Sequence, residues 1–299
     1  MSLKRIVLTM LGVFGILYFA NAQSNILNAK TPNQIHTNIY AAEEEEEDKP
    51  LAYGYVDQRD ILWSTTIWET IDLNQRMNFP LYYPIDTIGT DRQSLYHALM
   101  KEIKIGEFTE IYTDSYFTEK RNFQDLEATL SKVDTTDLGY EQLNAGESLS
   151  AEFVNRRDIS GADIIEYRIK GMWYFDKRLG ELRYRLLGIA PVAPDVNFID
   201  DESIDPMENK VELFWVWYPA AREILHKVKV FNGNNSSQRI SFDMLLNSRR
   251  FAGMIYREEN VQGDRNVNEY ITDNAMLQLL EARRIKEKIR DKEQDMWAY

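Results

Sequence analysis

The segment from Ile165 to Asp176 constrains the fold more than any other. Ile165, Tyr167, Ile169, Gly171, Trp173 and Phe175 alternate with Glu166, Arg168, Lys170, Met172, Tyr174 and Asp176. A period of two with one strongly apolar face marks a half-buried β-strand. Lys177 to Gly180 supply a turn, and Leu182, Tyr184, Leu186 and Gly188 read as the returning strand of a hairpin.

The rest of the chain is read around that hairpin. Pro191 and Pro194 are placed to end it, and Val211, Leu213, Trp215 and Trp217 mark a third strand. Pro219 can open a helix through His226, and Val228 with Val230 adds a strand before the Asn232-Gly233 turn. Ser241 caps a helix through Asn247, and Phe251 to Glu258 reads as a further strand. Upstream, Trp63, Ile67 and Ile71 recur every four residues with Trp68 flanking, which predicts an amphipathic helix between Asp60 and Arg76. Asn78 and Pro80 stop it. Thr90 and Gln93 form a capping box for a second helix with the stripe Leu95, Leu99 and Ile103, closed by Gly106. Residues 107–160, broken by Gly139 and Gly146, read as loops with short helical pieces. Thr272 caps a last helix that runs nearly to Trp297. The expected class is α+β, a mainly antiparallel sheet with flanking helices between a disordered acidic N-terminal segment and a long C-terminal helix.

That last helix carries a seam. Ala275, Ala282, Ile289 and Met296 are seven apart, and Leu279 and Ile285 widen the stripe. Arg283 with Glu287, and Glu287 with Arg290, make weak surface pairs. An apolar seam on so charged a helix needs a mate, either the chain's own sheet or a neighbouring subunit. If the mate is a subunit, the interface residues are Ile285, Ile289, Met296 and Trp297.

The N-terminus predicts export. Lys4 and Arg5 precede the apolar run Ile6 to Phe19, and Ala20-Asn21-Ala22 offers a cleavage site, so residues 1–22 read as a signal peptide. A spanning helix needs about 20 apolar residues, more than this run supplies. No later segment is long and apolar enough to insert directly. Residues 23–52 read as a disordered acidic linker ending in Glu43 to Asp48, a spacer or, alternatively, a docking tail for a basic partner or cation. The chain has no cysteine, so disulfides, zinc-thiolate sites and an N-terminal lipid are all excluded. Losing Lys4 and Arg5 takes the formal net charge from −13 to −15. Such a chain is repelled by nucleic acid and anionic lipid, which leaves proteins as its expected partners.

No catalytic, cofactor-binding or metal-binding constellation emerges. His36, His97 and His226 lie in the tail, mid-helix and at a helix end, without zinc-site spacing. Gly146 to Ser150 lacks the second glycine of a nucleophile elbow. Asn234 and Asn235 match glycosylation sequons but more simply shape a turn. Asp195, Asp200, Asp201, Glu202 and Asp205 resemble a Ca²⁺ loop in composition only. They lack EF-hand spacing and its glycine, so they read as a solvated acidic loop. The 6 Trp, 17 Tyr and 13 Phe suit a large core or a sugar- or protein-binding surface. A secreted carbohydrate-binding or carbohydrate-active protein is therefore the alternative reading.

Ordered blocks carry a family resemblance. Asp60-Ile61-Leu62-Trp63-Ser64, then Trp68, Ile71-Asp72-Leu73 and Asn78, resemble the opening of the GldN/PorN proteins. Trp173 to Lys177, Arg185 to Val192, Leu213 to Pro219, Arg250-Phe251, Asn260-Val261 and the ending through Trp297 follow in order. The resemblance implies a GldN-like domain over residues 53–299, in a periplasmic, non-enzymatic ring component of the type IX secretion and gliding-motility machinery. It implies no cofactor, homo-oligomerisation within the ring, a GldK/PorK-like outer-membrane lipoprotein as anchor, and GldL/GldM-like inner-membrane motor partners. The run Glu43 to Asp48 is outside that pattern.

Overall fold

The structure, a computed structural model, describes residues 49–297 apart from 90–91, 137–139, 141, 143, 146–150, 199–204, 206–208, 233–238 and 273. The segment 1–22 read as a signal peptide, the acidic run, Thr90, the Gly146 to Ser150 stretch, Asp200 to Glu202 and both sequons lie outside the described residues. From Pro50 the chain forms the second of two units, Pro50–Tyr299.

The first half runs β1 (Ile61–Asp72), α1 (Phe79–Tyr82), α2 (Leu95–Ile105), β2 (Ile111–Tyr112), α3 (Phe123–Leu130), β3 (Ser131–Thr135) and β4 (Val154–Asp158). The hairpin follows as β5 (Glu166–Asp176) and β6 (Glu181–Pro194), then β7 (Lys210–Glu212), β8 (Trp215–Trp217) and α4 (Tyr218–Lys227). The chain ends with β9 (Lys229–Val230), β10 (Ile240–Ser241), α5 (Phe242–Asn247), β11 (Met254–Glu258), α6 (Val267–Tyr270) and α7 (Ala275–Trp297). The main sheet has the order β11-β1-β5-β6-β8-β2, with β7 also on β6, and every pairing is antiparallel. The α+β class is therefore correct.

The hairpin pairs from Glu166 with Val192 to Asp176 with Glu181. Gly180 closes its turn at φ 66°, a conformation open to glycine without strain, and its N–H donates to the Asp176 carbonyl at 2.7 Å. Of the two prolines, Pro194 ends β6 and Pro191 does not. Pro191 lacks a ladder donor, yet its carbonyl accepts from Leu213 N–H at 3.0 Å, and Pro194 is the last residue of the strand.

The segment read as a helix at 60–76 is β1. A spacing of four is also two strand periods, so Trp63, Ile67 and Ile71 satisfy either pattern. With β11 on one side and β5 on the other, β1 is buried on both faces over Thr65–Glu69, which removes the polar alternation that would have marked it. Trp68 fills the opposite face, with Ala190 and Trp215. The region 107–160 holds α3 and the β3–β4 hairpin as well as loops. Ser131–Thr135 and Val154–Asp158 are largely polar and exposed, so they carry no apolar period. The expected third strand is two short ones, β7 and β8, divided at the buried Leu213 and Phe214.

Several helix ends follow the sequence. Gly106 closes α2 at φ 83°, Pro219 opens α4, and Ser241 Oγ accepts from Met244 N–H to cap α5. Two caps differ from expectation. Ser94 Oγ, not a Thr90 box, accepts from His97 N–H at 3.3 Å. Asn274 Oδ1, not Thr272, accepts from Leu277 N–H at 3.0 Å.

Residues of α2, α4 and α5 share one core with the sheet, including Leu99, Ile103, Leu225 and Leu246 against Ile71, Ile169 and Ile189. A polar knot locks α4 to α5. Asp243 accepts from Arg222 Nε at 2.9 Å, from Tyr218 Oη at 2.8 Å and from Asn247 Nδ2 at 2.8 Å.

Candidate functional site

Ala, Leu, Gln, Glu, Lys and Arg, which all favour helix, dominate α7, and Asn274 satisfies its first turn. Its inner stripe is Ala282, Ile285 and Ile289, each at most 6% exposed, packed on Ile67 of β1, Ile255 of β11 and Val267 of α6. Trp63, Trp173, Leu182 and Ile271 pack around them. Lys288 Nζ reaches Glu258 Oε1 on β11 at 2.5 Å and fastens the outer edge. The seam's mate is the chain's own sheet. Ile285 and Ile289 are thus closed to any partner, which corrects the interface reading for those two residues. Met296 lies about two turns beyond, half-buried, and Trp297 ends the helix.

The outward side of the same helix is unexpectedly apolar. Met276, Leu277, Leu279 and Leu280 are 66%, 48%, 53% and 52% exposed. At about 100° per residue they cover roughly 160° of the helix circumference. Leu279, counted with the inward seam from its spacing, belongs here instead. The sequence did hold the signal. Four apolar residues in five positions are too broad for one stripe.

Between α7 and the sheet lies a cavity of about 380 Å³ with Trp173, Leu182, Ile255 and Ile289 as its apolar wall. Glu69 and Arg249 close one end as an ion pair, while Arg283, Lys286 and Arg290 line the helix side. Arg249 follows α5 at φ 52°, and its guanidinium stacks over Tyr184 at 4.2 Å and Trp173 at 5.4 Å from the ring centroids. Burial works against the arginine charge, and the adjoining Glu69 carboxylate more than restores it.

The polar side of the period-two strand is also more than a solvated face. Lys170 Nζ lies 4.9 Å from the Trp68 ring and 4.7 Å from the Tyr116 ring, and donates to the Ser115 carbonyl at 2.9 Å. Burial lowers the Lys170 pKa. Arg168 donates to Glu212 at 2.5 Å and lies 5.2 Å from the Tyr256 ring, while Trp215 Nε1 donates to the other Glu212 oxygen at 2.5 Å. Sequence reasoning missed this layer because the loop carrying Tyr116 and Phe117 and the strands carrying Trp68 and Tyr256 are distant in the chain.

The remaining candidates do not converge. His97 is on α2 and His226 near the end of α4. Asp195 Oδ1 accepts from Asn197 N–H and Nδ2, both at 2.9 Å. Among the described residues no three His, Asp or Glu side chains form a group able to hold a metal ion, and no helix is long and apolar enough to cross a membrane. The arrangement offers contact surface and rigid support for it.

A family model described as gliding motility associated protein GldN matches residues 56–298. No curated protein matches the chain.

Proposed function

This chain belongs to the GldN family of gliding-motility-associated proteins, and we propose on that footing that it is a non-enzymatic structural subunit of a type IX secretion ring. In this reading the ring sits in the periplasm beneath the outer membrane. A GldK/PorK-like lipoprotein anchors it, further copies of the chain flank it, and GldL/GldM-like motor proteins connect it to the inner membrane. The observation that carries the reading is the family match, which extends over nearly the whole of the described unit.

Three further features support it. The first 22 residues have the pattern of an export signal. The absence of cysteine excludes a cysteine-linked lipid, which fits an anchor borrowed from a partner. The exposed turn Met276 to Leu280 supplies apolar contact area of the kind that protein interfaces use.

Deleting the gene tests the proposal directly. The expected result is loss of colony spreading together with loss of cargo export. Export that continues unchanged without spreading would confine the protein to motility and remove the secretion role. Fractionation tests the location. The protein should pellet with outer membranes under mild lysis, whereas a secreted carbohydrate-binding protein would appear free in the medium.

A further inference from the structure

A second cavity, of about 360 Å³, opens between α2, α3 and the β3–β4 hairpin, on elements that contribute nothing to the α7 surface. That volume lies within the range of about 300–1,000 Å³ usual for small-ligand sites. Tyr96, Met100, Phe123, Leu130 and Ile159 form its apolar wall. Polar groups line it from two directions, Glu127, Ser131, Arg156 and Asp158 from α3 and the hairpin and three more from α2. His97, Lys101 and Lys104 occupy positions i, i+4 and i+7 of α2, so they share one helix face.

The charges there are not balanced. Arg156 holds both lining carboxylates, donating to Glu127 at 2.8 Å and to Asp158 at 2.8 Å. Lys101 and Lys104 have neither an ion pair nor a hydrogen bond among the described residues. Two unpaired ammonium groups thus border an apolar cavity in a chain whose net charge is −13. His97 Nδ1 is buried without a partner, facing Gly161, where an added Cβ would lie 3.7 Å away.

We propose that this cavity binds a small monocarboxylate with an aromatic or branched apolar body. The body fills the space between Met100, Phe123 and Leu130, and the carboxylate is held by Lys101 and Lys104. A phosphate fits less well. Arg156, the guanidinium in the wall, is already engaged twice, and the lining charges (Lys101, Lys104 and Arg156 against Glu127 and Asp158) sum to +1, which matches one negative charge better than two. The same chemistry could come from a free acid or from the C-terminal residue of a protein chain.

Titration calorimetry on the purified chain decides it, with phenylacetate and phenylacetamide as probes. Phenylacetate should bind with a Kd of about 1 mM or tighter, and the amide about tenfold more weakly. Lys101→Ala with Lys104→Ala should weaken phenylacetate by about tenfold without lowering the melting temperature, since both side chains are exposed. Tighter binding of acetyl-Gly-Gly-Phe than of phenylacetate would assign the site to a chain terminus, and equal or weaker binding to a free acid. The proposal fails if acid and amide bind alike, or if the double variant binds as well as the parent. It fails too if inorganic phosphate matches phenylacetate, or if neither probe binds at about 10 mM.

Discussion

Glu69 in the middle of β1 and Arg249 just past α5 are 180 residues apart in sequence, and one Arg249 Nη2 donates to both Glu69 carboxylate oxygens, at 2.7 and 2.8 Å. The pair joins β1 to the segment that leads into its neighbour, the edge strand β11. It also forms one end of the cavity under α7. Glu69 is 2% exposed, and Arg249 is its ion-pair partner.

Breaking that pair should therefore be severe. Arg249→Met leaves a buried carboxylate uncompensated and should cost about 3 kcal/mol by urea unfolding. Glu69→Leu in the same background should recover much of the loss, because the uncompensated charge is then gone. A double variant no more stable than Arg249→Met alone would show that stacking on Tyr184 and Trp173, rather than the charge pair, is what Arg249 supplies.

The two faces of α7 should respond differently. Ile289→Ala removes a side chain packed between α7 and the sheet and should lower stability by about 3 kcal/mol. Leu277→Asp with Leu280→Asp changes exposed positions and should alter stability by no more than about 0.5 kcal/mol per site. Cells carrying the second variant should nevertheless fail to spread. Normal spreading, with the protein at parental levels, would remove the outward turn from the docking surface.

How far the sequence revealed these features depended on whether neighbours in the chain were also neighbours in space. The β5–β6 hairpin was legible because its period, turn glycine and return strand are contiguous. Caps at Ser241 and Gly106 were legible for the same reason. Strand β1 was not, because both faces are covered and a repeat of four fits helix and strand alike. The C-terminal helix was identified from its seam, but which face met the sheet required β11 and α6 to be in place. The cation–aromatic layer around Lys170 and the Glu69–Arg249 pair each join distant segments, and no local pattern announces them.

Gly171 pairs with Leu186 at the register shift of the β5–β6 hairpin, beside the ring of Tyr184. A Cβ added there would lie 2.0 Å from Tyr184 Oη and 2.2 Å from Cζ, so the ring of Tyr184 occupies the space a side chain would need. Gly171→Ala should destabilise by about 2 kcal/mol. Tyr184→Leu vacates that space, and in its background the same substitution should cost clearly less. Additive losses would mean that the strand, not the ring, resists the methyl group.

Alkaline pH offers a test of the core as a whole. Burial is the main cause that raises the pKa of Tyr53 to about 12, and it raises Tyr96, Tyr167, Tyr184, Tyr218 and Tyr256 as well. Unfolded tyrosines ionise near 10. Below that pH both states are protonated and the contribution of these residues is intact. Above it the unfolded chain loses protons first, and stability falls until the folded residues titrate too. Each deeply buried tyrosine should then remove up to about 1.4 kcal/mol per pH unit. Lys170 acts in the opposite direction, since burial lowers its pKa in the folded chain, but it is one group against several. Urea midpoints should hold steady to about pH 10 and drop steeply beyond. Tyr256→Phe removes a buried hydroxyl that has no partner, so it should leave stability at pH 7 unchanged or slightly higher and make the alkaline fall shallower. An unchanged slope in that variant would mean that water reaches Tyr256 and that this part of the sheet opens before the chain unfolds.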